Sequence, residues 1–284
     1  MEKQGKLYLC ATPIGNLQDI TERCLEILRT CDVIAAEDTR NSIKILNHFD
    51  IHTPMTAYHE FNRFDKADDL VRQMLEGKTV ACITDAGTPG ISDPGEVLVK
   101  KAVEAGIEVS SVPGACAAIS ALIISGLSTR RFRFEAFLPS DKRERRIILE
   151  EIRNETATIV IYEAPHHLKK TLSDLLEAFG ERKISLCKEL TKTHETVFRT
   201  TLSDALSFYE ENEPRGEYVL VIEGKKREEL LKETAQAYEA LSLEAHMKQY
   251  EDQGISRKEA MKLVARDRNV SRREIYKMLL EDQE

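Results

Sequence analysis

Residues 79–95 read TVACITDAGTPGISDPG, an apolar strand that runs directly into a loop carrying Gly87, Gly90 and Gly95, Pro89 and Pro94, and Asp85 and Asp93. Glycine takes φ > 0 and has no Cβ, so a strand ending in glycines lets the backbone approach a ligand closely. Asp93 and Pro94 read as an N-cap and first-turn pair for a helix running to Gly106. The segment therefore joins a buried strand to a helix N-terminus, a common position for a ligand in an α/β sheet.

The same pattern recurs. Apolar, β-rich runs at 6–13, 32–38, 79–85 and 108–114 alternate with helical patterns at about 18–30, 41–48, 64–76, 94–105 and 115–126. Alternation of this kind predicts βα units and a mainly parallel sheet covered on both faces. A second set of strands follows at 132–139, 157–164, 183–190, 196–202 and 217–224, with helices near 141–153, 166–179 and 203–212. These strands come in closer succession, which predicts a mixed sheet. Beyond Gly224 the pattern is helix only. Ser256-Arg257-Lys258-Glu259 and Ser271-Arg272-Arg273-Glu274 both match the capping box, and two short helices about four residues apart have the outline of a helix-turn-helix. Such a hairpin either contacts RNA without sequence preference or docks on its own domain. The expected division is an N-terminal α/β domain at 1–127, a C-terminal α/β domain at 128–224 and a helical tail at 225–284.

The bulk numbers exclude several classes. With 284 residues, 42% hydrophobic and 32% charged, the chain can bury two sizeable cores. No apolar run approaches the ~20 residues of a membrane span, and no export signal is visible; a cytoplasmic protein is expected. Six cysteines without any CxxC pair read as buried thiols in a reducing compartment, and no metal site is expected. The net charge of −8 argues against nucleic-acid binding through the whole surface. Basic residues are nevertheless concentrated, with seven Arg/Lys against three acids over 130–146 and eight against three over 254–278. Local basic patches on an acidic body suit a protein that touches a polyanion at chosen places.

Four strand-to-helix loops stand out: TPIGNLQDI at 12–20, AEDTRNS at 36–42, DAGTPGISDPG at 85–95 and SVPGACAA at 111–118. In a parallel sheet all four lie at the carboxyl ends of strands, the edge where open α/β sheets bind ligands. The chain has no GxxxxGK[ST], GxGxxG, HExxH or GxSxG, which demotes ATP hydrolysis, dinucleotide redox chemistry and the common hydrolytic sites.

Taken in order, TPIGNLQDIT, AEDTR, YHE (58–60), DAGTPGISDPG, VPGAC, FLP (137–139), YEAPHH, CKELTKTHE and GEYVLVIEG resemble the rRNA ribose 2′-O-methyltransferases of the tetrapyrrole methylase fold family, over about residues 5–224. The resemblance implies two α/β domains of the tetrapyrrole methylase type, S-adenosylmethionine as methyl donor, a homodimer, and as substrate a cytidine ribose in the decoding region of 16S rRNA within the small ribosomal subunit. It maps cofactor contacts onto Pro13, Asp85, Gly87, Thr88, Ile91 and Ser92, onto Ala115, Cys116 and Ala117, and onto Tyr162, Glu163, Ala164, Gly216, Glu217 and Tyr218. One departure is Phe61, where a second histidine beside His59 is expected.

A ribose hydroxyl is a poor nucleophile at neutral pH and needs a base or a cationic neighbour. Glu37, Asp38 or Glu189 is the expected base, with Arg40 or Lys188 as electrostatic partner and Glu60 nearby; any of them also reads as part of an ion-pair network holding the loops. Asn16 binds either the ribose or its own turn. Arg131, Arg133, Lys142, Arg143 and Arg146 are the expected phosphate contacts. Two other readings compete: a methylase of a small tetrapyrrole or a protein side chain, and an RNA-binding ribosome assembly factor with a vestigial cofactor loop.

Overall fold

The computed structural model describes residues 5–238 and 240–281. Strands β1 (Lys6–Cys10), β2 (Val33–Ala36), β3 (Met55–Ala57), β4 (Val80–Ile83) and β5 (Glu108–Val112) pair wholly in parallel in the order β3-β2-β4-β1-β5. β3 is absent from the sequence reading. Its three residues follow Pro54 at the sheet edge, too short a run for period-2 alternation to register.

Side-chain alternation sorts the sheet's two faces. Ala81 and Ile83 pack with α1 (Glu22–Thr30) and α2 (Thr39–His48), whereas Val80 and Cys82 pack with α3 (Arg63–Leu75) and α4 (Gly95–Glu104). The neighbours β1 and β4 thus send their helices to opposite faces. A crevice opens between their carboxyl ends, at the topological switch point of the sheet.

In the second sheet β6 (Phe132–Phe137), β7 (Thr158–Glu163), β10 (Tyr218–Ile222), β8 (Lys183–Lys188) and β9 (Thr196–Thr201) lie side by side in that order. Only β6 and β7 are parallel, so the sheet is mixed. One face buries Ile159, Ile161, Leu186 and Leu220 under α6 (Lys142–Ile152), α7 (Pro165–Phe179) and α8 (Leu202–Glu211). The opposite face, with Val160, Cys187, Val219 and Val221, is covered by Ala118, Ala121 and Leu122 of α5 (Ala117–Ile124).

That docking corrects the sequence reading, which assigned the 115–126 helix to the first sheet. Ser185 Oγ donates to the Ser125 carbonyl at 2.8 Å, and the Arg199 guanidinium reaches the carbonyls of Ser125 and Ile124. Periodicity says how long a helix is; the sheet that buries it is a tertiary matter.

The tail is helical throughout: α9 (Arg227–Ala237), α10 (Leu243–Glu251), α11 (Arg257–Asp267) and α12 (Arg272–Glu281). The last three share a small core of Leu243, Met247, Ala260, Val264, Ile275 and Leu279. The Ser271 box is closed in both directions, with the Glu274 amide donating to Ser271 Oγ and the Ser271 amide to Glu274 Oε2. In the Ser256 box Glu259 instead turns to Lys262 at 2.9 Å. Among the described residues no helix is long and apolar enough to cross a membrane.

Candidate active site

Three loops are tied together at the carboxyl edge of the first sheet. Thr12 and Gly87 form a two-way backbone bridge at 2.9 and 3.1 Å, and Thr88 Oγ1 donates to the Ala115 carbonyl at 2.9 Å. Gly87 has φ 87°, which explains glycine there. Asp93 has a role that its position before Pro94 does not reveal. Its carboxylate accepts from the amides of Gly90, Ile91 and Gly95 at 2.8–3.1 Å. These amides resemble a phosphate cradle, yet the chain fills the cradle with its own anion, so the loop is not built for phosphate.

Gly95 makes that closure possible, because a Cβ would lie 2.7 Å from Asp93 Oδ1 and 2.9 Å from the Gly90 nitrogen. Overpacking of this kind costs about 1–3 kcal/mol. Gly95→Ala is expected to weaken binding of the methyl donor that the resemblance implies roughly tenfold or more, if that strain is relieved by moving the loop. Titration calorimetry reads this directly, and an unchanged affinity would show that the loop tolerates the methyl group.

The tied loops form one wall of a cleft of about 590 Å³, within the roughly 300–1,000 Å³ of small-molecule sites. The other wall comes from the second sheet: Tyr162–Pro165, Cys187, Leu190 and Glu217–Val219. α5 aligns the two walls, since the Ala118 amide at its start donates to the Tyr162 hydroxyl at 3.2 Å. Burial pushes that phenol up to about 12. Phe137 also faces the cleft. A bulge between Phe134 and Ala136, with Ala136 at φ 52°, re-aims the strand end so that Phe137 stands 5.5 Å from the Tyr162 ring.

Charge within the cleft has one sign. Among its lining residues there is no Lys or Arg, while Glu37, Asp85, Asp93, Glu163 and Glu217 are all present. Glu37 accepts from Thr84 Oγ1 at 2.5 Å, and Asp85 Oδ1 accepts from the Asp38 amide at 3.1 Å. Partial desolvation at the cleft wall, followed by the charge of Glu37, raises the pKa of the Asp85 carboxyl. A cationic ligand suits this cleft better than a phosphate ester. Among the described residues no group of three His, Cys, Asp or Glu side chains is arranged to hold a metal ion.

Comparison with known proteins agrees with the fold. The model of the tetrapyrrole (corrin/porphyrin) methylases matches residues 6–206. The chain belongs to this family of methylases. Among its relatives, the ribosomal RNA small subunit methyltransferase I of Halalkalibacterium halodurans is 47% identical, with 97% of this chain and 94% of the relative aligned. The protein of the same name from Synechocystis sp. is 45% identical, with 98% of each chain aligned. Diphthine synthase shares the fold with a TM-score of 0.63 at 14% identity, covering 78% of this chain and 91% of that one. A Thermus thermophilus uroporphyrin-III C-methyltransferase complexed with S-adenyl homocysteine gives 0.55 at 15% identity, covering 77% and 97%.

The methylase cleft fits S-adenosylmethionine. Apolar side chains of Ile14, Ile91, Ala117, Leu190 and Val219 line it, a surface suited to an adenosine, Gly87 and Thr88 lie beside them in the lining, and the carboxylates suit a sulfonium. Of the expected cofactor contacts, Asp85, Gly87, Thr88, Ile91, Ser92, Cys116, Ala117, Tyr162, Glu163, Ala164, Glu217 and Tyr218 line it. Pro13, Ala115 and Gly216 do not, and each has a supporting place. Pro13 lies between the bridged Thr12 and the cleft residue Ile14, and Ala115 receives Thr88. Gly216, at φ 77°, leaves room for Glu189, whose Cγ a Cβ would meet at 2.6 Å.

The expected catalytic set divides more sharply. Glu37 alone of that set lines the cleft. Asp38 caps α2 and chelates Arg40 at 2.7 and 3.0 Å; the guanidinium holds its carboxyl down to about 2. Arg40 itself is 89% exposed. Glu60 pairs with Arg63 on the surface. Glu189 accepts from the Glu217 amide and from Lys192, each at 2.9 Å, and these bonds lower its pKa. Both bonds brace the loop. Lys188 alternates with Cys187 along β8, which turns it to the opposite face. Asn16 Oδ1 accepts from the Gln18 amide at 3.1 Å, serving its own turn.

The five expected phosphate contacts also part company. Lys142, Arg143 and Arg146 are exposed on the first turns of α6, which follows the cleft end of β6. Arg131 precedes β6 and lines a separate hollow with Lys183 and Arg227 at the other end of that sheet. Arg133 is tied to Glu135. Within the same basic run Arg145 is buried, paired with Asp174 and with Thr171, which in turn donates to Glu163.

Ile14, Thr84, Ala86, Asp93, Phe137, Pro165, Cys187, Leu190 and Val219 also line the cleft and were not among the expected site residues. For most of these the available signal was position at the carboxyl end of a strand, which does not tell inward from outward. Phe61, 98% exposed after β3, is an aromatic at the same edge that hydrophobic patterning does not explain.

Proposed function

We propose that this methylase moves a methyl group from S-adenosylmethionine to the 2′-hydroxyl of a cytidine ribose in the decoding region of 16S rRNA, in the cytoplasm, as a homodimer acting on the small ribosomal subunit. The observation that carries the reading is a cleft with apolar and aromatic walls for adenosine, two adjoining carboxylates, Glu37 and Asp85, and no lining cation. The shared name of relatives 43–47% identical over nearly the whole chain supports rRNA as the polymer. Exposed Ile119 and Ile123 on α5, 43% and 67% accessible, are apolar side chains that a second copy would cover.

The bound cofactor supplies the activated methyl group, and the chain's residues do the rest. Asp85 is the proton acceptor: it lines the cleft next to Glu37, and partial desolvation together with that charge raises its pKa, which favours uptake of the ribose proton. Glu37, braced by Thr84, adds negative charge beside it. Tyr162 and Phe137 narrow the cleft and exclude water, and Gly87 and Thr88 pack beside the methionine part. Lys142, Arg143 and Arg146 hold phosphates of the incoming RNA and make binding salt-dependent.

The test is transfer of labelled methyl to small subunits from a strain lacking this gene. Label is expected in an alkali-resistant dinucleotide, the mark of a 2′-O-methyl group. Label on a base, or none despite calorimetric binding of the cofactor, would sink the proposal.

A further inference from the structure

We infer that the face shared by α11 and α12 is a second RNA-binding surface, gripping phosphates on the helical tail that leaves the second sheet from the edge opposite the cleft. The inference rests on the rRNA reading above and extends it to a part of the chain beyond residues 6–206, which the family model matches.

Arg257, Lys258, Arg272, Arg273, Met261 and Tyr276 line a hollow of about 550 Å³. Both helices begin there, one after the Ser256 cap and one at Arg272, so two helix N-termini add partial positive charge to four cationic side chains. The nearby acids are already engaged: Glu259 by Lys262, Glu274 by the Ser271 amide and Glu251 by Arg257. Among the described residues Lys258, Arg272 and Arg273 form no ion pair, and Tyr276 is 56% exposed. Guanidinium forks match phosphate oxygens, and an open aromatic beside them gives a base somewhere to stack.

Charge along the tail is polarised. Residues 254–278 hold eight Lys/Arg and three acids, whereas 227–253 hold three Lys/Arg and seven acids. A phosphate backbone is attracted to one half of the bundle and repelled by the other, which gives the contact an orientation.

Topology sets the distance. β10 runs antiparallel to β7 and β8; its first residues line the cleft, and its last, Ile222, lies at the far edge from which the tail departs. The strand alone separates the two by roughly 15 Å. At that edge Arg131, Lys183 and Arg227 form their own basic hollow.

The test uses the full chain carrying Arg272→Gln and Arg273→Gln together, with Lys232→Gln from the acidic half as control. Binding of a small-subunit rRNA hairpin is followed by anisotropy over a salt series. The double variant should bind roughly tenfold more weakly at 0.15 M salt, with a log–log salt slope smaller by about 2. Its melting temperature and calorimetric affinity for S-adenosylmethionine should be unchanged, and in methyl transfer KM for subunits should rise while kcat holds. Wild-type affinity and slope in a folded double variant would overturn the inference. So would a poly-aspartate peptide that displaces the RNA from this face at equal charge concentration, since the face would then select acidic protein. Loss of hairpin binding in the variant, even if no methyl reaches rRNA, supports the inference while the activity reading fails.

Discussion

Asp85→Asn is expected to lower kcat for methyl transfer by about 10²–10⁴-fold, the range for removal of a general base. Asparagine preserves the size of the side chain and can still accept from the Asp38 amide, as Asp85 Oδ1 does at 3.1 Å, so the loop should keep its shape. What disappears is a carboxylate whose pKa is raised by partial desolvation and the Glu37 charge. The pH dependence follows in sign. A base works when deprotonated, so wild-type kcat should climb as pH rises through the raised Asp85 pKa, and the variant should lack that limb. Glu37→Gln should act more weakly and bring the limb to lower pH, because Glu37 is the second cause of the shift. Single-turnover rates at saturating cofactor separate the steps. If Asp85→Asn instead raises the cofactor dissociation constant and leaves the single-turnover rate intact, Asp85 is a cofactor contact and the base lies elsewhere.

The largest stability effect is expected from Arg145→Ala. Arg145 is 6% exposed, and its guanidinium serves Asp174 and Thr171. Removing one partner of a buried pair leaves the other charge uncompensated, at a cost of about 3–5 kcal/mol. Loss of this size should lower the melting temperature by on the order of 10 °C. The same change reaches the cleft, because Thr171 also donates to Glu163, whose other carboxylate oxygen accepts the Ala164 amide. A folded Arg145→Ala chain should therefore bind the cofactor less well. Arg145→Met with Asp174→Leu, which replaces the pair by apolar groups, should recover most of the stability. Denaturant unfolding of the three proteins tests this, and a cost below about 1 kcal/mol for the single change would mean that water reaches Asp174 and screens it.

These two residues show where the sequence was readable and where it was not. Arg145 lies in a segment, 130–146, whose seven Arg/Lys against three acids read as a local basic patch. In three dimensions the run divides: Arg131 lies beyond one end of the sheet, Arg133 pairs with Glu135, Arg145 is buried, and Lys142, Arg143 and Arg146 remain on an exposed turn. Composition counts charges; the helical period and the packing of α6 on α7 decide which of them meets solvent. Glu189 is a second case. At the end of a strand it has the residue type of a base, and only the proximity of Lys192 and of the Glu217 amide, 28 positions away, reveals a brace.

By itself the sequence determined the two α/β units, the mixed pairing of the second, the helical tail and the four loops of the binding edge, because strand and helix periods and glycine–proline punctuation are local properties. Tertiary structure alone decided that α5 seals the second sheet, that Asp93 fills the loop's own amide cradle, and that Glu37 and Asp85 face the cleft while Asp38 and Glu189 do not. These outcomes depend on partners such as Thr84, 47 residues from Glu37. A carboxylate's role is set by the hydrogen bonds and charges that burial places around it, and no local pattern encodes those.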